Sequence, residues 1–488
     1  MLTTSRNADE NLLNLEVALI DRSTNHWVPN NRRAARSRTD RPISAKRIGL
    51  ISPCGWGNLG DAAILDAAIS NIRARFPDAE ITAFTLNPAD TMEKHGITAS
   101  TLIGYSLSGY AVREPASDPN VTPPPPSRST MPRPSLRSQL TRLRRRLTSV
   151  PLLRTILAPL HSLRSAIRFV TPELTHLVRS HRAARNLDLI VVAGGGQLDD
   201  YWGGAWGHPY ALWRWALLAR LSGVPFVILS VGTGAVRSGL GRWFISRSLR
   251  WAAYRSYRDQ GSKALVDFAA VTHADPVVPD LAFSYPIEDD PSPPLEVSAP
   301  RRLVVGVSPM CFADPRCWPD KDAVFYQDYV RKIADFVARL SASDFDVVLF
   351  ASQHVNDRRT VTDVQNRLGL DGYPNGPTVR EASNAETLIN CLRTMDVVVA
   401  CRLHGVLLAH LAGRPVLAVS HERKVSALMA DFENDEFCLD INTFDASALW
   451  DRFHQLLTRR QEVVERNVRR VQDFRVQLQA QYDRILAT

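Results

Sequence analysis

The chain has 488 residues, 45% of them hydrophobic, enough for two large domains and too many for a small disulfide- or metal-stapled scaffold. The formal net charge is +9, but thirteen arginines and a single acid, Glu173, fall between Arg128 and Arg185. The remainder is close to balance, and no zinc-finger, RNA-recognition or helix-turn-helix pattern accompanies the basic stretch, which argues against a nucleic-acid partner. Cys54, Cys311, Cys317, Cys391, Cys401 and Cys438 are scattered with no Cys-x-x-Cys pair, so neither a disulfide framework nor a zinc site is expected and the compartment is read as reducing. The N-terminus lacks the apolar core of a secretory signal, and no run approaches the ~20 apolar residues of a membrane span. The expected location is cytoplasmic, with peripheral attachment to the inner face of the plasma membrane as an option.

Residues 1–45 read as a disordered, basic tail. The first α/β domain is expected over 46–285, opening with strand Arg47–Ser52, a glycine-rich turn, a helical pattern over Ala62–Phe76 and strand Ile81–Leu86. An insertion at about 104–180 interrupts it. Its Pro/Ser/Arg-rich first part cannot pack a core. Two leucine stripes follow, Leu136–Val150 and Leu153–Ile167, with arginines around them. These fit a helical hairpin on the sheet or a basic amphipathic element over 136–170 lying on an anionic membrane surface.

The α/β rhythm resumes at Asp188–Ala193, followed by a helical Trp202–Trp215, strand Phe226–Val231 and a short strand Tyr254–Tyr257. Residues 286–300 form a Pro/acid-rich linker. A second domain, 301–430, has expected strands Leu303–Val307, Asp346–Phe350, Asp396–Ala400 and Val416–Val419, and 431–488 is helical and charged. Two Rossmann-like domains facing a cleft are therefore expected, with the basic helical insertion in the first.

The chemistry-bearing residues sit in loops. Gly55-Trp56-Gly57-Asn58-Leu59-Gly60-Asp61 matches G-x-G-x-x-G, but the following strand ends in Leu86-Asn87-Pro88 with no acid for a ribose, so a nicotinamide cofactor is not expected. Asn58 and Asp61 can bind acceptor hydroxyls or cap the helix. Gly194, Gly195 and Gly196 leave a strand tip open to a ligand. Asp199 and Asp200 beside them can hold a cation or form a solvated turn, and no metal is otherwise indicated. Arg258 and Arg402 each follow a strand, and Arg402-Leu403-His404-Gly405 sets a guanidinium and an imidazole at a helix N-terminus. Lys424 is a third cation near that edge.

Seven pieces in order resemble the polysaccharide pyruvyl transferase family: Gly57–Asp61, Gly194–Gly196, Gly232-Thr233-Gly234, Arg258–Ser262, Pro279–Phe283, Arg402–Gly405, and Gly413-Arg414-Pro415 through Lys424. The resemblance implies two Rossmann-like domains similar to two-domain glycosyltransferases. It also implies phosphoenolpyruvate as donor substrate, a glycan or lipid-linked sugar as acceptor, and no cofactor. His404 is then the acid/base, with Arg258, Arg402, Leu403, Lys424, Asn58, Asp61 and Gly194–Gly196 binding substrate. The alternatives are a nucleotide-sugar-dependent glycosyltransferase, with Glu422 on the donor ribose, and a catalytically silent peripheral assembly factor for polysaccharide synthesis.

Overall fold

The computed structural model describes residues 46–55, 57–104, 172–201, 203–270, 274–287, 301–369 and 376–486. The N-terminal tail, Trp56, Trp202, both leucine stripes and most of the 286–300 linker lie outside the described residues.

Short apolar runs make the strands. The first sheet contains β1 (Arg47–Ile51), β2 (Glu80–Thr85), β3 (Thr98–Thr101), β4 (Leu189–Ala193), β5 (Phe226–Val231) and β6 (Tyr254–Tyr257). All its pairs are parallel, in the order β3-β2-β1-β4-β5-β6. The second contains β7 (Leu303–Ser308), β8 (Phe345–Phe350), β9 (Thr378–Arg380), β10 (Val397–Ala400), β11 (Val416–Ser420) and β12 (Cys438–Asp440). Its order, β12-β11-β10-β7-β8-β9, is again parallel throughout and repeats the first sheet's winding strand for strand. Helices on both faces bury the central strands completely, which is why β10 reads as an unbroken apolar run and β5 and β11 as apolar runs with one buried serine each.

The first domain carries α1 (Leu59–Arg75), α2 (Pro88–His95), α3 (172–185), α4 (His208–Ser222), α5 (Gly239–Trp251) and α6 (Gln260–Leu265). The second carries α7 (Ala323–Ala342), α8 (Asp357–Leu368), α9 (Ala385–Arg393), α10 (Leu403–Leu411), α11 (Arg423–Asp431), α12 (Ala446–Thr458) and α13 (Arg460–Leu486). The helix read over Trp202–Trp215 is in fact a short 3₁₀ turn, Gly204–Trp206, and then α4. Gly203 and Gly204 adopt positive φ and break the helix there.

Glu173, the one acid of the arginine-rich stretch, is anchored. It accepts from the Gly104 backbone N–H at 2.8 Å, from Tyr210 Oη at 2.9 Å and from the buried Arg214 Nη1 at 3.2 Å. The chain's exit at Gly104 and its return at Glu173 are thus tied together at the sheet.

The two domains share a core. One apolar cluster runs from α1 through the Leu281–Ser284 turn into the second domain, where Phe283 meets Phe432 and Phe474 at ring distances of 5.8 and 5.0 Å. The final helix, α13, returns to the first sheet, and buried Gln481 bridges two of its strands. Gln481 Nε2 donates to Ser230 Oγ at 3.1 Å, and Gln481 Oε1 accepts from Ser256 Oγ at 2.5 Å and Tyr254 Oη at 3.2 Å. Ser230 has φ 47° at a bulge in β5, so this amide pins an irregular strand end. Gln481→Ala is expected to destabilise the fold by about 1–3 kcal/mol by orphaning these buried hydroxyls. An unchanged urea midpoint would remove Gln481 from the account.

Candidate active site

Doubly wound sheets offer ligands the carboxyl ends of their strands, at the point where the winding reverses. Here that point lies between β1 and β4 in one domain and between β7 and β10 in the other. The loop after β1 and the loop after β8 meet across the cleft. Leu59 N donates to Ser352 O at 3.3 Å, His354 N donates to Gly57 O at 2.9 Å, and Asn58 bridges Gln353.

His404 is the second residue of α10, and its ring crosses to the opposite domain, where it packs on Gly60. A Cβ at position 60 would stand 1.9 Å from the imidazole Cγ, so any side chain there takes the ring's space. Asp280, 2% exposed and from the turn before Leu281, links this ring to Arg258. Its Oδ2 accepts from Arg258 Nη1 at 3.1 Å and stands 3.9 Å from His404 Nε2, which has no hydrogen-bond partner among the described residues. Arg258 in turn lies flat over Gly232, where a Cβ would fall 2.2 Å from Nη2, and its Nε reaches Asp259 at 3.4 Å. Burial works against the Arg258 charge, but Asp280 and Asp259 more than offset it and hold the guanidinium firmly protonated.

Arg402 is placed differently. Its Nε and Nη2 fork grips the fully buried Asp357, with Nη2 at 2.7 Å from Oδ1 and 3.0 Å from Gln353 Oε1. Among the described residues Nη1 makes no such bond. Asp357 also accepts from Cys311 N at 3.1 Å, so this ion pair fixes the loop after β7 as well.

On the facing side, Asn58 rather than Asp61 caps α1, accepting from Gly60 N at 3.1 Å, while Asn58 Nδ2 donates to Asp61 Oδ2 at 2.7 Å. Burial, reinforced by Asp280 and opposed by Lys424, pushes the Asp61 carboxyl up to about 6. Asp199 is likewise pushed up to about 6 by burial, against the Tyr201 N–H and Lys424. Asp200 turns away and accepts from the backbone N–H groups of Arg237 and Ser238 at 3.0 and 2.8 Å. Among the described residues, no three His, Cys, Asp or Glu side chains are grouped as a metal ion requires. Gly194 and Gly195 take positive φ, and Gly196 faces open space. Lys424 pairs with Glu422, which His421 Nε2 also meets at 2.7 Å; Glu422 is half-buried, which works against its charge, but Lys424 and the hydrogen bond to His421 hold its carboxylate below the usual range.

A cavity of about 130 Å³ opens beside Arg258, Asp280, Leu403, Lys424 and Arg470, with Phe283 and Leu407 as apolar wall. Arg258, Leu403 and Lys424 therefore face one space. His404 stands at its edge through Asp280, and Arg402 belongs to the neighbouring latch. The sequence points to Asp280 only as part of a motif and gives no sign of Asp357 and Gln353 as the partners of Arg402. Asp357 gives no local signal, because its role depends on a residue 45 positions away.

A family model described as polysaccharide pyruvyl transferase matches residues 58–423. No curated protein matches the chain. Among solved structures, the chain is similar to MnaA of S. aureus in a UDP co-structure, at 9% identity and TM-score 0.48, with 86% of this chain and 90% of that one covered. It is also similar to Alr3699/HepE of Anabaena in complex with UDP-glucose, at 12% identity and TM-score 0.49, covering 90% and 99%. MurG of Acinetobacter baumannii matches at 12% identity and TM-score 0.48, covering 91% and 100%.

Burial is the largest influence on His404, and Arg258, Lys424 and Arg402 add to it against Asp280, so its pKa falls from 6.5 to about 4. The unfolded chain binds a proton below 6.5 that the folded one refuses, so this residue's contribution to stability declines as pH falls toward about 4 and then levels. An NMR titration of the free protein is expected to show a neutral His404 imidazole until the pH nears about 4. A midpoint close to 6.5 would contradict the buried seat.

Proposed function

The chain belongs to the polysaccharide pyruvyl transferase family, and on that premise we propose that it transfers the pyruvyl skeleton of phosphoenolpyruvate to a sugar of a polysaccharide or lipid-linked glycan, forming a pyruvate ketal across two hydroxyls and releasing phosphate. The observation that carries the reading is the joint at Asp280, whose carboxylate pairs with the buried Arg258 guanidinium of its own domain and stands 3.9 Å from the His404 imidazole of the other.

Phosphoenolpyruvate brings a carboxylate and a phosphate to cations that are already engaged. Binding is thus an exchange, in which the donor takes over part of Arg258 from Asp280 and Asp259 and draws on Lys424 and the Nη1 of Arg402. Leu403 supplies an apolar wall to the methylene carbon.

Protonation of that methylene makes carbon 2 electrophilic. A sugar hydroxyl attacks it and gives up its proton to a base, the C–O bond to phosphate breaks, and a second hydroxyl of the same sugar closes the ketal. One proton ends on the new methyl group and one on hydrogen phosphate, so the two hydroxyl protons balance the reaction. His404, uncharged at neutral pH, is suited to accept the first hydroxyl proton. Asp61 and Asp199, each with a carboxyl raised to about 6, are the acids able to supply the methylene. Asn58 and the open backbone at Gly196 would receive the acceptor sugar.

Incubation with phosphoenolpyruvate and nitrophenyl or lipid-linked sugars is expected to yield a product heavier by one pyruvate less one water, with phosphate released. Transfer of a sugar from a nucleotide donor, without phosphoenolpyruvate consumption, would replace this reading with the glycosyltransferase one. His404→Ala should lower turnover by ~100- to 10,000-fold while phosphoenolpyruvate still protects the protein against heat. A variant that binds poorly but turns over normally at saturation would reassign the imidazole.

Gly60→Ala tests the same seat from the other domain. The added methyl displaces the ring, and turnover should fall by roughly 100-fold although no acid, base or cation is altered. Full activity in that variant would mean the ring does its work elsewhere.

A further inference from the structure

Between Asp200 and Asp259 the sequence holds eight arginines and no acid or lysine. The fold sorts them. Arg214, Arg255 and Arg258 turn inward to Glu173, Asp275 and Asp280. Arg220, Arg237, Arg242, Arg247 and Arg250 are left exposed around α4 and α5. Large apolar side chains stand among them: Trp206 is 49% exposed, Trp243 45% and Leu240 43%. The two indoles belong to a packed aromatic layer. Trp206 meets Phe244 at 5.7 Å and Trp213 meets Trp243 at 5.8 Å, with the Arg247 guanidinium 5.6 Å from the Trp243 ring. These tips are therefore held outward by a rigid floor.

We propose that this face of α5, with the Gly204–Trp206 turn, docks on an anionic lipid bilayer surface, with indoles and Leu240 at headgroup depth and the arginines on acidic headgroups. Indoles with apolar bodies and polar edges settle at that depth, and each basic residue close to the surface adds attraction. The charge pattern selects this occupant. A second copy related by a two-fold axis would set arginines against arginines, and an uncharged glycan would leave them without a counter-charge. The face also adjoins the crevice, because Asp200, next to Asp199, caps the loop that leads into α5 through Arg237 and Ser238. This docking is independent of the 136–170 stripes and of the reaction catalysed.

The test is co-sedimentation of the full chain with phosphatidylcholine vesicles, with and without phosphatidylglycerol. Binding is expected to the anionic vesicles, to weaken in high salt, and to fall at least about tenfold in Arg242→Glu/Arg247→Glu. Trp243→Ser, which keeps every charge, should weaken it as well, and both variants should keep the wild-type circular dichroism. Equal partitioning of the wild type to neutral and anionic vesicles would overturn the proposal, as would undiminished binding by both variants. So would variants that keep vesicle binding but lose self-association or retention on an immobilised glycan.

Discussion

A buried carboxylate shared between a cation and an imidazole governs the crevice. Asp280 is almost entirely removed from solvent, and its carboxylate is met by Arg258 on one oxygen and by the Ala282 backbone N–H on the other. Breaking such a pair from one side leaves a buried charge alone, which typically costs about 3–5 kcal/mol. Asp357 and Arg402 repeat the arrangement in the second domain. The crevice is thus lined by ion pairs that are already made, and an anion entering it would have to be exchanged into them. On the function proposed above, a donor with both a carboxylate and a phosphate is better suited than a singly charged anion to compete with the two aspartates for Arg258.

Both domains wind their strands in the same order, so each offers an equivalent edge to the cleft. What differs is the chemistry hung on that edge. The first domain contributes glycines, Asn58, Asp61 and Arg258; the second contributes Arg402, His404 and Lys424. The close packing of His404 on Gly60 and of Arg258 on Gly232 shows how absence of a side chain in one loop is used by a large side chain from another. The backbone bonds between the loops after β1 and β8, together with the shared apolar cluster, make this a joined structure in which the two edges are already in register.

The central strands were legible because burial on both faces demands unbroken apolar runs. The edge strands β3, β9 and β12 were not, since Thr-Ala-Ser-Thr, Thr-Val-Arg and Cys-Leu-Asp are three or four residues long and partly or wholly exposed. Only pairing defines them. The glycine loops, Arg258 and the Arg402–Gly405 stretch stood out as residues that chemistry needs at strand ends. That Arg402 spends its fork on Asp357 could not be read, because a guanidinium carries no mark of which carboxylate it will meet. The raised carboxyls of Asp61 and Asp199 were equally invisible, being products of burial.

The bond between Gly104 and Glu173 has a consequence for the chain's architecture. Gly104 and Glu173, on either side of the stretch 105–171, are fastened to each other, and Glu173 in turn to Arg214. The sheet is consequently clamped at this point by its own flanking residues. A clamp of this kind sets the spacing that any sequence joining the two positions has to span.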